Sequence, residues 1–193
     1  MEIGTTGVVV DRRLRTANRR IFAVGDVAGP LQFTHAASYQ AGIFIRNALF
    51  RMPAKVSYHA LPWVTYTDPE LAHVGLTEAE ARRNDGNIRV VHWPFAENDR
   101  ARAERETAGF VKVVANRKGL ILGASMVGAN AGDLIQPWVL AINRKIPIRA
   151  MADVIAPYPT LGEVNKRAAG SFFTDSLFSD RTRGLVRFLF RLG

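Results

Sequence analysis

The run Ile21-Phe22-Ala23-Val24 is apolar at every position and stops at Gly25-Asp26. Four apolar residues without polar alternation suit a strand buried on both faces, the kind a parallel sheet contains. Gly7 to Asp11 reads as an earlier short strand, and Arg12 to Arg20 as a polar loop between the two. From Thr34 to Leu49 the pattern turns helical, with Ala37, Ala41, Phe44, Ile45 and Ala48 three or four apart. Strand then helix is the ending of a doubly wound α/β domain, which needs a full set of βαβ units and a glycine-rich first turn. No Gly-x-Gly-x-x-Gly occurs in the 193 residues, so the remaining strands of such a sheet are expected elsewhere.

Met52-Pro53-Ala54-Lys55 marks a break, and a second pattern follows it. Trp63 to Thr67 is β-rich, and Leu71 to Gly75 continues it. Thr77-Glu78-Ala79-Glu80 has the spacing of a capping box, followed by a short helix to about Arg83. Ile88 to Phe95, Gly109 to Ala115 and Leu120 to Val127 read as strands, the last two joined by a turn at Asn116 to Gly119. Gly132 to Asn143 reads as an amphipathic helix, Met151 to Ile155 as a short one, and Thr160 to Phe173 as another. The class is therefore α+β: the tail of a doubly wound domain (residues 1–52), an antiparallel sheet with helices (53–175), and a basic tail (176–193).

Composition narrows the functions. The formal net charge is +9, but the cations are dispersed, and no zinc-finger spacing, RNA-binding aromatic motif or basic-region helix occurs. Specific nucleic-acid binding is not expected. The absence of cysteine excludes disulfides, thiolate catalysis and cysteine metal sites within the chain. Ala28 to Ile45 carries no formal charge, yet Pro30, Gln32, His35, Ser38 and Gln40 make it too polar for a spanning helix. With no signal pattern at Met1 to Gly4, a cytoplasmic protein is expected.

Three segments carry chemistry. Thr16 to Asp26 delivers Gly25 and Asp26 to the end of an apolar run; read alone, the dipeptide is a strand-end turn, and glycine also lets backbone approach a ligand. The whole segment resembles the second FAD-binding motif of the pyridine nucleotide-disulfide oxidoreductases. Leu31-Gln32-Phe33-Thr34-His35-Ala36-Ala37 continues that match, and Leu61 to Glu78 resembles the opening of the family's dimerisation domain. Asn98-Asp99-Arg100-Ala101 followed by Gly109-Phe110-Val111-Lys112 fits too, in the manner of the mercuric-reductase-like branch. The resemblance runs from about residue 5 to about residue 175.

It implies an FAD-binding edge in which Gly25 admits backbone and Asp26 accepts hydrogen bonds from ribityl hydroxyls. Phe33, Thr34, His35 and Ala36 would open a helix aimed at the pyrimidine side of the isoalloxazine, where unpaired amides and the helix dipole favour negative charge. It implies FAD and NAD(P)H as cofactors of a complete enzyme, electrons passed to a disulfide, metal or other acceptor, and a homodimer. Pro157-Tyr158-Pro159-Thr160-Leu161-Gly162-Glu163 falls where most of the family has His-Pro-Thr-x-x-Glu, a histidine acting on the partner subunit's disulfide and oriented by the glutamate. Here Tyr158 takes the histidine position and Glu163 the glutamate position. A phenol with an ordinary pKa of about 10 is a poor base at neutral pH, which turns the expectation away from lipoamide or glutathione reduction. Thr160-x-x-Glu163 also has capping-box spacing, compatible with a site role.

Two openings remain. Ser179 to Gly193 carries Arg181, Arg183, Arg187 and Arg191, with Leu185, Phe188, Leu189 and Leu192 at helical spacing. Such a basic amphipathic helix can lie on an anionic membrane or dock on its own protein. Equally, a chain without the phosphate-binding FAD motif, a nicotinamide domain or redox cysteines can serve as an assembly module that catalyses nothing.

Overall fold

The computed structural model describes residues 1–191, so Leu192 and Gly193 of the expected amphipathic tail lie outside the described residues. The chain forms two compact units, residues 1–58 and the residues from 59 onward.

In the first unit, β1 (Ile3–Gly4) pairs antiparallel with β2 (Gly7–Val8). The strand expected over Gly7 to Asp11 is thus confined to its first two residues. The strand expected over Ile21 to Val24 does not form: Phe22 makes one isolated bridge to Arg15, and Ile21 is 44% exposed. A buried parallel strand needs neighbours to take its amides and carbonyls, and no partner strand for it exists among the described residues. Local loop bonds replace the ladder, with the Thr16 amide donating to the Ile21 carbonyl (3.0 Å) and the Ala23 amide to the Leu14 carbonyl (3.1 Å).

Helix α1 (Thr34–Ala48) forms where periodicity predicts it, but its buried face is Ala36, Gln40 and Ile43 rather than the Ala37–Ala48 stripe. The helix has apolar residues on almost every side, so spacing alone left its rotation open. Ile43 packs with Leu14, Ala54 and Val56 in the small core of this unit, flanked by Phe22, Val24 and Tyr58.

The second unit is built on a five-stranded antiparallel sheet. Its strands are β3 (Pro62–Thr65), β4 (Glu70–Gly75), β5 (Ile88–Pro94), β6 (Phe110–Asn116) and β7 (Ile121–Gly128), in the order β3-β4-β7-β6-β5. The β6–β7 turn is set by Asn116, whose Oδ1 accepts from the Lys118 and Leu120 amides. Helix α2 (Glu78–Asp85) starts on the expected capping box: the Thr77 hydroxyl accepts from the Glu80 amide, and Glu80 accepts from the Thr77 amide.

Helix α3 (Asp99–Glu104) follows β5. The helix expected over Gly132 to Asn143 is broken into α4 (Ala131–Leu134) and α5 (Gln136–Arg144). Pro137 lacks the amide that would continue the ladder back to Asp133, so the helix restarts with proline in its first turn. Helix α6 (Ile148–Ala152) begins three residues earlier than expected, and α7 (Glu163–Ser171) three residues later than Thr160. Two further helices, α8 (Thr174–Leu177) and α9 (Asp180–Leu189), follow. Phe95, Met126, Ile135, Trp138, Ile148 and Val164 are all fully buried and hold the sheet and helices in one core.

Candidate functional site

The first group of site residues lies in unit one. Gly25 opens a 3-10 turn, Gly25–Ala28, with φ at +78°, a region that favours glycine. Its amide donates to Gln40 Oε1 (2.7 Å), and Gln40 Nε2 donates to the Tyr58 hydroxyl (3.0 Å). Gln40 is only 3% exposed. The sequence reading treated it as a polar interruption; its position four after Ala36 and three before Ile43, on one helical face, was the available signal. A buried amide needs partners, and here they are the backbone of Gly25 and a tyrosine.

A Cβ on Gly25 would sit 3.5 Å from the Ala37 Cβ, so this turn rests against the first turn of α1. Gly25 and Asp26 are thereby brought beside Phe33, Thr34, His35 and Ala36. Asp26, Thr34 and His35 are exposed, Ala36 is fully buried, and the Phe33 and His35 rings stack at 5.1 Å. Helix α1 has no side-chain cap and no acid in its first turn. A helix start with no side-chain cap and no acid, next to an exposed carboxylate acceptor, has a chemistry compatible with one edge of a flavin and its ribityl hydroxyls.

The second group lies in unit two. Tyr158, 68% exposed, sits in the loop between α6 and α7. Its hydroxyl donates to Asp99 Oδ2 (3.0 Å). The Asp99 carboxylate raises the phenol above its ordinary pKa of 10.0, by hydrogen bonding and then by charge, and the Glu163 carboxylate adds a smaller push in the same direction. The loop is held from the same place: buried Asn98 caps α3, its Oδ1 accepting from the Ala101 amide (2.9 Å), while its Nδ2 donates to the Thr160 carbonyl (3.2 Å).

Glu163 opens α7, but the capping box does not form. Gly162 is the N-cap without a side-chain bond, the Thr160 hydroxyl donates to the Pro157 carbonyl (2.7 Å), and Glu163 accepts from Arg167 (3.1 Å). Tyr158 and Glu163 are near enough to act electrostatically, yet the phenol's hydrogen-bond partner is Asp99. Asn98 and Asp99 had been noted only as part of a motif; their hold on a loop some sixty positions onward has no local signature. Behind them α7 is anchored by Asn165, which accepts from Trp138 Nε1 (2.7 Å) and donates to the Leu134 carbonyl (2.9 Å). Among the described residues, no group of three or more His, Cys, Asp or Glu could hold a metal ion.

A five-stranded antiparallel sheet closed by helices is the architecture of the dimerisation domain of flavoprotein disulfide reductases. Residues 61–169, more than half of the chain, match the family described as pyridine nucleotide-disulphide oxidoreductase, dimerisation domain, and the chain belongs to that family.

Mercuric reductase from Bacillus cereus is 38% identical over 177 residues, 91% of this chain and 28% of the relative. Dihydrolipoyl dehydrogenase from Bacillus subtilis is 37% identical over 171 residues, 88% of this chain and 36% of the relative. Among solved structures, LpdA from Mycobacterium tuberculosis superposes with a TM-score of 0.83 at 28% identity, covering 89% of this chain and 38% of that one. The flavoprotein disulfide reductase RclA from Escherichia coli, as its Cu(II) complex, gives 0.82 at 29% identity, covering 89% and 40%. The chain thus spans about a third of the length of the relatives it matches.

Proposed function

We propose that this chain supplies the dimer interface and one FAD edge of an NAD(P)H-dependent oxidoreductase whose acceptor site uses a tyrosine in place of the family's histidine. Asp26 accepts from the ribityl hydroxyls, Gly25 admits the backbone, and Phe33, Thr34, His35 and Ala36 frame the flavin ring. Bound FAD supplies hydride acceptance from NAD(P)H and onward electron transfer. Tyr158, with Glu163 nearby, faces the redox site of the partner subunit in a homodimer. An apolar depression of about 450 Å³, lined by Leu134, Pro137, Leu140, Ile146, Met151 and Val154, supports that assembly. Leu140 is 56% and Ile155 93% exposed, which is apolar surface that a second copy would cover.

The bond from Tyr158 to Asp99 carries the reading of the acceptor site. A phenol whose proton is held by a carboxylate donates a hydrogen bond at neutral pH and does not accept a proton. It can orient a substrate or a metal-bound group, but it does not replace histidine in thiol–disulfide exchange.

The test is a chimaera in which this chain replaces the corresponding part of the Bacillus subtilis dihydrolipoyl dehydrogenase. The expected product is a yellow dimer that oxidises NADH with artificial acceptors but not with lipoamide, and Tyr158→His restores lipoamide turnover. A folded, dimeric chimaera that binds no FAD would overturn the proposal. A second reading, a catalytically inert assembly module, is favoured by the absence of cysteine from the chain; a colourless purified chain with no NAD(P)H oxidation supports it.

A further inference from the structure

Helix α9 has a local design of its own. Ser179 caps it, accepting from the Thr182 amide (3.3 Å), and Asp180 lies in its first turn, where the helix dipole favours a negative charge. The Ser179 and Thr182 hydroxyls both donate to the Ser176 carbonyl, at 2.8 and 2.7 Å, which ties the start of α9 to α8. The Arg89–Asp175 ion pair ties α8 to β5, and the Arg89 guanidinium also lies over the ring of Phe172, at the end of α7. The segment is therefore attached to the sheet by its near end.

Its far end stays open to solvent along the described residues. No residue of α8 or α9 is buried. Leu185 is 57% exposed, Phe188 57%, Leu189 54% and Phe190 83%. At about 100° per residue, Leu185, Val186, Phe188 and Leu189 gather on one side, while Arg183, Arg187 and Arg191, four apart, line the other. Four arginines stand against one aspartate between residues 180 and 191.

We infer that α9 is a surface anchor for an anionic lipid bilayer, lying in the plane of the interface with its leucine–phenylalanine side among the acyl chains. Charge decides the occupant. Arg181, four residues before Leu185, lies beside the apolar side, and the long side chains of the others reach from the opposite side toward lipid phosphates. Residues 180–191 carry four arginines against one aspartate, so the α9 of a second copy meets like charge, whereas an anionic surface complements it. The helix is too short to span a bilayer and too charged to enter one.

Co-sedimentation of the 193-residue protein with vesicles of phosphatidylcholine, with and without phosphatidylserine, tests this. At least tenfold stronger partitioning onto the phosphatidylserine vesicles is expected, weakening steeply with salt. Leu185→Glu with Leu189→Glu should lower it at least tenfold. Arg183→Gln with Arg187→Gln should lower it several-fold while leaving the thermal melt unchanged, because neither arginine contributes to the core. Equal partitioning on both vesicles, or none, overturns the proposal. So does an unaffected Leu185→Glu/Leu189→Glu variant, or a finding by sedimentation velocity that this variant only changes the oligomeric state, which would make α9 a self-association surface.

Discussion

Asn98 does two things with one side chain, and two substitutions separate them. Its Oδ1 caps α3 and its Nδ2 donates to the carbonyl of Thr160, two residues beyond Tyr158. Asn98→Ala removes the cap, at about 1 kcal/mol, and leaves the Thr160 carbonyl without this donor, at about 1 kcal/mol more. The total of roughly 2 kcal/mol corresponds to a fall in Tm of about 5–10 °C for a domain of this size. Asn98→Ser keeps an uncharged N-cap acceptor and loses only the second bond, so it should cost about half as much. Urea and thermal unfolding followed by circular dichroism measure both. Loosening the loop should also let the Tyr158 phenol ionise at lower pH, read from ultraviolet absorbance as the difference from a Tyr158→Phe variant. The reasoning fails if Asn98→Ala is as stable as the parent with unchanged phenol titration, or if Asn98→Ser costs as much as Asn98→Ala.

Asp99→Asn should lower the Tyr158 pKa more directly, because the carboxylate favours the protonated phenol; an unshifted ultraviolet titration would show that the bond does not govern the phenol. Glu78 is held at about 2, from an ordinary 4.5, by hydrogen bonds from Lys112 and then Arg82. Because the folded value is the depressed one, its contribution is complete above pH 4.5 and is lost as pH falls toward 2. Glu78→Gln should therefore flatten the acid limb of the stability profile and leave its neutral-to-alkaline slope alone. Gln40→Leu should leave the Gly25 amide unsatisfied, at roughly 1–3 kcal/mol, detected as lower urea resistance of the first unit by hydrogen exchange at α1.

The second unit was legible wherever its signals are local. The β6–β7 turn is written in Asn116 and Gly119, and α2 in the Thr77–Glu80 box, so strands and cap appear close to the predicted residues. Contacts across the chain were not legible. Ile21 to Val24 has the composition of a buried strand, but a strand is a relation between segments, and without a partner the same residues form a loop. Helix α1 was placed but not rotated, since Ala36, Ala37, Ala41, Ile43, Phe44 and Ile45 surround its axis and only packing chooses among them. At the candidate site the identity of Tyr158 was readable and its partner was not. The glutamate five residues on looked like its natural companion, whereas the hydrogen bond goes to Asp99, on α3.

That partner changes what an acidic neighbour means in this position. Beside an imidazole, a carboxylate raises a pKa that starts near 6.5, which keeps proton transfer within reach of neutral pH. Beside a phenol it raises one that starts at 10 and carries it further from neutral. The same pairing of acid and aromatic side chain therefore yields a proton shuttle in one case and a fixed hydrogen-bond donor in the other. With Asp99 taking the single proton of Tyr158, the phenol oxygen offers only lone pairs outward and does not change its protonation state across the neutral range. If, as proposed, the loop serves an electron acceptor, any proton that acceptor requires has to arrive from another group.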